Sequence, residues 1–408
     1  MGGRRAQGGL SPENRAVERY DVAIVGGGPA GAVAARAAAR AGARVLVVER
    51  APRRPPRCTG LVGAPFLDLV AVPPRLVLRE VRAVRVCAPG GGGLRFRAAE
   101  PKGYVLDRGG LDRWLLDRAA EAGATVCCPA AAVGVAGQVL HTTTGPVEFG
   151  VLVAADGAMS AVRRWAGLSP SAEVWVGVQA IVAASPPEGG DEVEVHVGNE
   201  LAPGGFAWVV PAEEGTVRAG LLTVAGRGAY SLLDRFLAHR FPGERVVRRE
   251  GGLIPLGPAP CTAGPRVVLV GDAAGQVKPL SGGGLLFGAI AARIAGEVAA
   301  ERPDHLGEYE ARWRALLWDE IAFGLRGRMA FVSLRDGELD RVVAALDRPE
   351  LHRLVAAEGD IDYPSRLVQA VVARPGLWPA VIPLVRALGG WARVRELARS
   401  LPSAAGPG

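Results

Sequence analysis

Gly26, Gly28 and Gly31 stand where a short run, residues 21–25 (DVAIV), ends and an alanine-rich stretch begins. That spacing suits the holding of a pyrophosphate. Gly26 permits a tight turn, Gly28 lets the backbone approach phosphate, and Gly31 lets the following helix pack closely on the strand. The N-terminus of that helix would then offer unpaired N–H groups and a positive dipole end. Glu49 ends the next apolar run, where a carboxylate accepts hydrogen bonds from an adenosine ribose. Ala30 and Arg50 are assigned to the same ligand. Strand, glycine turn, helix, strand and acid together predict a dinucleotide site.

Two distant motifs bear on which dinucleotide. Val268-Leu269-Val270-Gly271-Asp272-Ala273-Ala274 reads as a buried strand followed at once by Gly-Asp, and Ala155-Asp156-Gly157, with Arg163 after it, follows another such strand. In order with the glycine turn, they resemble the three fingerprints of the hydroxylase-like FAD superfamily. The resemblance implies FAD, with Asp272 against its ribityl chain or pyrophosphate. No second G-x-G-x-x-G follows a strand. Electrons would therefore come from NAD(P)H bound transiently or from a reduced electron carrier.

Within that superfamily the chain resembles the geranylgeranyl reductase family, from about Tyr20 to about Phe331. Three stretches carry the likeness. Gly271 to Gly284 (GDAAGQVKPLSGGG) matches the loop and helix start that the family places beneath the flavin ring, which assigns Gly282, Gly283, Gly284 and the adjoining Leu285 to the cofactor. Gly103-Tyr104-Val105-Leu106-Asp107-Arg108, with Leu111-Asp112-Arg113 after it, supplies Arg108 as the FAD-contacting arginine. Pro203 to Pro211 (PGGFAWVVP) is similar to the family's P-x-x-Y-x-W-x-F-P substrate motif, which assigns Phe206, Trp208 and Pro211 to the substrate. Phe206 stands where the family has tyrosine and Val210 where it has phenylalanine. Both departures bear on which lipid fits. The alternative for Phe206 and Trp208, set at strand spacing, is a purely core role.

Arg57-Cys58-Thr59-Gly60 resembles the family's cysteine–glycine loop near the flavin, which adds Cys58, Thr59 and Gly60 to the cofactor contacts. The chemistry implied gives Cys58 a catalytic task. An isolated prenyl double bond is electron-rich and accepts hydride only if a proton arrives at the other carbon. A thiol remains mostly protonated at neutral pH and can donate one, while Trp208 and Phe206 can stabilise developing positive charge through their ring faces. The alternative is a small residue that merely touches FAD. Rival functions on the same fold are a monooxygenase or halogenase, an electron-transfer flavoprotein, or a non-catalytic lipid-binding flavoprotein. A halogenase needs a positioned lysine, and only Lys102 and Lys278 are present. An electron-transfer protein of this kind needs a four-cysteine cluster pattern, and the chain has 5 scattered cysteines.

The elements that must position these residues follow from periodicity. The sequence predicts strands at 21–25 and 44–48 around a helix over 29–41, then a Pro- and Arg-rich loop over 51–65. Strand-like segments over 75–100, a helix over 107–122 and a buried strand at 151–154 come next. Residues 172–252 read as an antiparallel sheet, in which His196 falls on a polar, solvated face. A strand at 266–270, a helix over 283–300 and a mostly helical end follow. The expected fold is α/β (α+β overall): a Rossmann-like FAD-binding domain, an antiparallel β-sheet substrate domain and a helical C-terminal region. The boundaries are a flexible tail at 1–18, the FAD-binding domain at 19–72 with 104–170 and 253–304, the sheet domain at 73–103 with 171–252, and the helical region at 305–408.

Composition narrows the partners. The 408 residues carry a net charge of +7, and the basic residues are arginine except at Lys102 and Lys278. No basic cluster with interleaved aromatics suits nucleic acid. An anionic membrane surface suits the charge better. The paired Arg4 and Arg5 have no apolar region after them, so the N-terminus reads as neither a signal peptide nor a twin-arginine signal. No run of about 20 apolar residues is present. The cysteines lack metal spacing and fit a reducing cytoplasm. The apolar pieces of 367–391, broken by Arg374, Pro375, Pro379, Pro383 and Arg386, could rest on the inner face of a membrane. Partners implied are thus a prenyl-lipid substrate, a peripheral membrane contact and a redox partner protein.

Overall fold

The computed structural model describes residues 17–51 and 58–387. The expected tail falls almost wholly outside these residues, as do Arg57 and the chain beyond 387.

The first part runs β1 (Glu18–Val25), α1 (Pro29–Arg40), β2 (Val45–Val48), β3 (Leu61–Val62), α2 (Ala64–Val70), β4 (Val77–Val81), β5 (Ala83–Cys87), β6 (Gly93–Arg97), β7 (Gly103–Leu106), α3 (Arg108–Glu121), β8 (Thr125–Cys127), β9 (Ala132–Ala136), β10 (Val139–Thr142), β11 (Gly145–Ala154) and α4 (Ala161–Trp165). A second part follows: β12 (Glu173–Ala183), β13 (Glu192–Val197), β14 (Phe206–Pro211), β15 (Val217–Val224), α5 (Ala229–Arg240) and β16 (Arg245–Leu256). The chain then returns with β17 (Val267–Leu269) and α6 (Leu285–Glu301), and ends in α7 (Gly307–Val332), α8 (Asp336–Leu346), α9 (Pro349–Glu358), α10 (Ser365–Val372) and α11 (Trp378–Ala387).

The first sheet has the order β8-β2-β1-β11-β10-β9, with β17 against β11. Its inner pairs, β2–β8, β1–β2, β1–β11 and β11–β17, are parallel. Val22, Ile24, Val45, Val47, Val151 and Val153 are wholly or almost wholly buried there. A strand covered on both faces reads as a continuous apolar run for this reason. Helices α1 and α6 pack on the sheet through alanine-rich faces.

The second sheet has the order β16-β12-β15-β14-β13-β5-β6. Its pairs are antiparallel except β13–β5, which is parallel, because β5 arrives from the first part of the chain. Helix α5 covers the sheet's outer face with Leu232, Leu233, Phe236 and Leu237. A third sheet, β3-β7-β4, joins the two. We propose the domain division stated above, with this small sheet as its seam, since β4 of segment 73–103 pairs with β7.

Three local expectations are corrected. The loop expected over 51–65, whose residues 52–57 lie outside the described ones, is interrupted by β3 and by α2, which begins at Ala64 with Pro65 in its first turn. The span 172–252 contains α5, whose apolar residues recur at helical spacing. The polar side of β13 is not solvated. Glu194 is buried and bonded to Arg240 at 2.7 and 2.9 Å and to His196 at 2.9 Å, and the His196 ring meets Phe236 edge-on at 5.1 Å. Burial pushes the Glu194 carboxyl up, but the hydrogen bonds from His196 and Arg240 outweigh it and bring it down to about 2. Burial likewise pushes His196 down, yet its hydrogen bonds to Cys87 and Glu194 raise it to about 9.

Candidate functional site

One cavity of about 1780 Å³, with mostly apolar walls, runs between the first and second sheets. At one end β1 stops and the chain turns at Gly26, whose φ is +105°. A Cβ on Gly26 would stand 2.3 Å from the Ala155 carbonyl oxygen, and one on Gly31 would stand 1.9 Å from that of Gly26. Gly31 therefore works by packing and is not in the cavity wall. Gly26, Gly28 and Ala30 are in the wall, and a Cβ on Gly28 would meet nothing within 4 Å except open cavity. Pro29 opens α1 without needing an N–H partner.

Glu49 leaves β2 toward this turn. Its carboxylate accepts the Gly27 N–H at 2.7 Å and the Ala51 N–H at 2.8 Å. Arg50 is exposed at the rim. Opposite them, the Asp156 carboxylate accepts the Ala161 and Val162 N–H groups at 2.7 and 3.1 Å through Oδ2. Arg163 spans two distant motifs, donating to the Ala158 and Ala273 carbonyls at 3.2 and 3.1 Å.

Asp272 opens onto the cavity with its side chain exposed there, and desolvation by the surrounding protein pushes its carboxyl up to about 6 against the downward pull of Arg108. Arg108 at the start of α3 lies 2.9 Å from the Asp112 carboxylate. Burial raises Asp112, with Arg108 and Arg113 pulling it back. Gly282, Gly283, Gly284 and Leu285 line the cavity where α6 begins.

The Cys58 loop enters the middle of the cavity. The Gly60 N–H points at Cys58 Sγ, 3.4 Å away. Thr59 Oγ1 is 3.4 Å from Gln179, which donates to Glu250 at 2.8 Å. Arg218, buried on β15, donates to the Thr59 and Leu106 carbonyls at 2.6 and 3.2 Å and so ties the loop to β7. Neither Arg218 nor the Gln179–Glu250 pair was expected. A charged residue inside the apolar run of β15 was the available signal for Arg218.

At the far end Phe206 and Trp208 line the wall with ring centroids 5.9 Å apart. They pack with Trp175, Leu222, Ile254 and Val277. Trp208 Nε1 is buried with no partner among the described residues. Alternation along β14 turns 206, 208 and 210 to the cavity, so Val210 lines it while Pro211 is buried and outside the wall.

The arrangement fits FAD. Arg108 Nε and Nη1 and Asp156 Oδ1 are buried without partners among the described residues, and all three atoms belong to cavity residues. Buried polar groups are nearly always satisfied, and a dinucleotide's hydroxyls and phosphates are the partners this cradle is short of. Neither lysine is available as a free halogenase-type lysine. Lys102 donates to the Ala357 carbonyl at 3.0 Å, and Lys278 is paired with Asp362 at 2.7 Å.

Comparison with known proteins agrees. The family model described as FAD dependent oxidoreductase matches residues 21–139. The chain is similar to digeranylgeranylglycerophospholipid reductase 2 of Methanothermobacter thermautotrophicus, 35% identical over 380 residues, which is 86% of this chain and 98% of the relative. It is similar in fold to a geranylgeranyl bacteriochlorophyll reductase-like protein of Thermoplasma acidophilum, with a TM-score of 0.78 at 24% identity over 91% of this chain and 100% of the other. A flavin-dependent brominase also shares the fold, with a TM-score of 0.62 at 15% identity over 87% of this chain and 98% of the other. Fold alone therefore leaves the reaction open, and the sequence relatives decide the family.

Proposed function

The chain belongs to the family of digeranylgeranylglycerophospholipid reductases, and from that premise we propose that it saturates the isoprenoid chains of a glycerol-linked prenyl lipid. It is an FAD-dependent oxidoreductase acting on carbon–carbon double bonds. The observation that carries the substrate reading is the single cavity in which the phosphate cradle, Cys58 and the Phe206–Trp208 wall share one space.

FAD, bound and reduced, supplies the hydride. The chain supplies the rest. Gly26, Gly28, Glu49 and Arg108 hold the cofactor's phosphate and ribose parts. Cys58 Sγ holds the proton that must reach the second alkene carbon, and Arg218 keeps its loop in place. Phe206 and Trp208 exclude water and face the alkene with aromatic surface, which favours developing positive charge. Phe206 lacks the hydroxyl of the family's tyrosine, so this wall is wholly apolar but for the Trp208 N–H.

Membrane contact and electron supply are part of the same proposal. Among the described residues no single helix is long and apolar enough to cross a membrane, and Ser365–Val372 with Pro375–Arg386 form a pair bent by 98°. Val372 and Trp378 there are 65% and 54% exposed, and Pro364 and Leu367 at the start of the pair line the cavity. Arg366, Arg374 and Arg386 accompany this apolar surface and suit anionic headgroups. The pair would rest on the bilayer beside the opening through which a lipid tail enters.

The experiment is a single turnover of dithionite-reduced holoenzyme with a geranylgeranylated phospholipid, read by mass spectrometry. The expected product gains one H2 per double bond reduced. Cys58→Ser should keep its FAD and slow that turnover about a hundredfold or more, the usual worth of a positioned acid. An unchanged lipid with wild-type protein defeats the substrate reading, and wild-type speed in Cys58→Ser removes Cys58 from the mechanism. Val372→Glu should slow turnover of lipid in anionic vesicles but not in detergent micelles; equal rates in both would argue against membrane contact. Anaerobic mixing with NADPH separates the donors: a bleached flavin selects the nicotinamide, an unbleached one a reduced carrier.

A further inference from the structure

The chain has 48 Lys and Arg residues, of which only Lys102 and Lys278 are lysines. Both line the cavity, and both fasten the same stretch of the C-terminal region. Lys102 reaches the Ala357 carbonyl at the end of α9. Lys278 Nζ donates to the Ile361 carbonyl at 3.0 Å and to Asp362 Oδ1 at 2.7 Å, between α9 and α10. The second contact is an ion pair buried at both ends, with side chains 11% and 2% exposed. Asp362 Oδ2 has no partner among the described residues. It occupies a slot left by Gly63, where a Cβ would stand 2.2 Å from it.

Burying two charges carries a desolvation cost that their attraction barely offsets, so such a pair is weak evidence of stability by itself. Its position suggests another use. A Cβ on Gly283 would stand 2.9 Å from Lys278 Cε and 3.4 Å from Nζ. The ammonium thus rests against the glycine run that walls the cavity. That run spans the two halves of the site. Gly284 faces Asp272, while Gly282 faces Leu222 and Ile254, which pack with Phe206 and Trp208. The redox-active end of a dinucleotide anchored at Gly26–Gly31 must pass this run to meet an alkene on the aromatic wall.

We propose that Lys278 is a positioning residue that sets the reduction potential of the bound flavin, and that Asp362, carried by the C-terminal region, is the counter-charge that limits its effect. A reduced flavin is more electron-rich than an oxidised one, so a nearby cation favours reduction and a nearby anion opposes it. The effect is strongest where water is excluded. The inference rests on FAD occupying the cavity and is independent of which lipid is reduced.

The test is the flavin midpoint potential of holoenzyme, measured by dye equilibration without lipid, with flavin content determined on the same samples. Asp362→Asn should raise the potential and Lys278→Met should lower it. Each step should change the reduction equilibrium about tenfold, or about 30 mV for two electrons. The double variant should fall between them. A purely structural role predicts loss of FAD without shifts of opposite sign. Should a variant bind FAD too weakly for titration, the ratio of dissociation constants for oxidised and reduced FAD gives the same quantity. An unchanged or lowered potential in Asp362→Asn, or a raised one in Lys278→Met, overturns the proposal. Wild-type protein without FAD would instead overturn the cofactor reading.

Discussion

The two ends of the cavity are built in opposite ways. At the glycine-turn end, consecutive residues Gly26 to Ala30 line the cavity, and neighbouring carbonyls leave no room for a side chain at Gly26 or Gly31. At the apolar end the wall is side chain, drawn from β12, β14, β15 and β16, with β12 paired to the distant β15 and β16. The first end should respond to substitution as a switch and the second as a dial. A Cβ in the wrong place at a phosphate cradle removes the ligand, whereas a lost ring at an apolar wall removes only its share of contact.

The sharpest way to break that contrast lies within the phosphate end itself. Gly28→Val should abolish FAD binding, weakening it at least about a hundredfold or roughly 3 kcal/mol, while the apoprotein keeps its melting temperature, because a Cβ there meets only open space. Gly31→Val should instead fail to fold, because its Cβ collides with the Gly26 carbonyl. A yellow Gly28→Val protein would show that the cradle does not face the pyrophosphate.

At the other end Trp208→Ala should lower catalytic efficiency on the lipid about tenfold or more, consistent with about 1–3 kcal/mol for a buried ring. Dithionite reduction of the flavin and flavin content should stay as in the wild type. Joint loss of stability and flavin would mean that Trp208 is core and that the wall has no dial.

The smallest effect is expected at His196, which is not in the cavity wall. His196 has a raised pKa of about 9, so its contribution is complete below its unfolded value of about 6.5 and is lost as pH rises through about 9. Glu194, lowered to about 2, contributes fully above about 4.5 and loses that as pH falls through about 2. The stability of wild type over His196→Gln should therefore be greatest at mildly acidic pH and should shrink toward pH 9, with turnover unchanged where both are folded. A constant difference in melting temperature across that range would show that the ring acts by packing alone.

The same contrast explains what could be read from the chain. Gly26–Gly31, Glu49, Asp156 and Asp272 were legible because each motif is local, and its glycines and acids follow apolar runs directly. Helix α5 was hidden by strands on either side, although Leu232, Leu233, Phe236 and Leu237 carry helical spacing. Pro211 belongs to the motif but not to the cavity wall, because strand alternation turns it away. The parallel β5–β13 pair, the Arg218 tie to Thr59 and the Lys278–Asp362 pair join residues far apart in sequence. Nothing in the local pattern of either partner names the other.

The scarcity of lysine has a practical consequence. Within the chain, primary side-chain amines occur only at Lys102 and Lys278, and they are engaged with the end of α9 and the segment just after it. An acylating or reductive-methylating reagent thus finds almost nothing to modify on the protein's surface. Its rate of reaction at these two sites, read peptide by peptide, becomes a clock for how often that segment lifts from the cavity. Two native chemical probes already stand in the wall of the cavity.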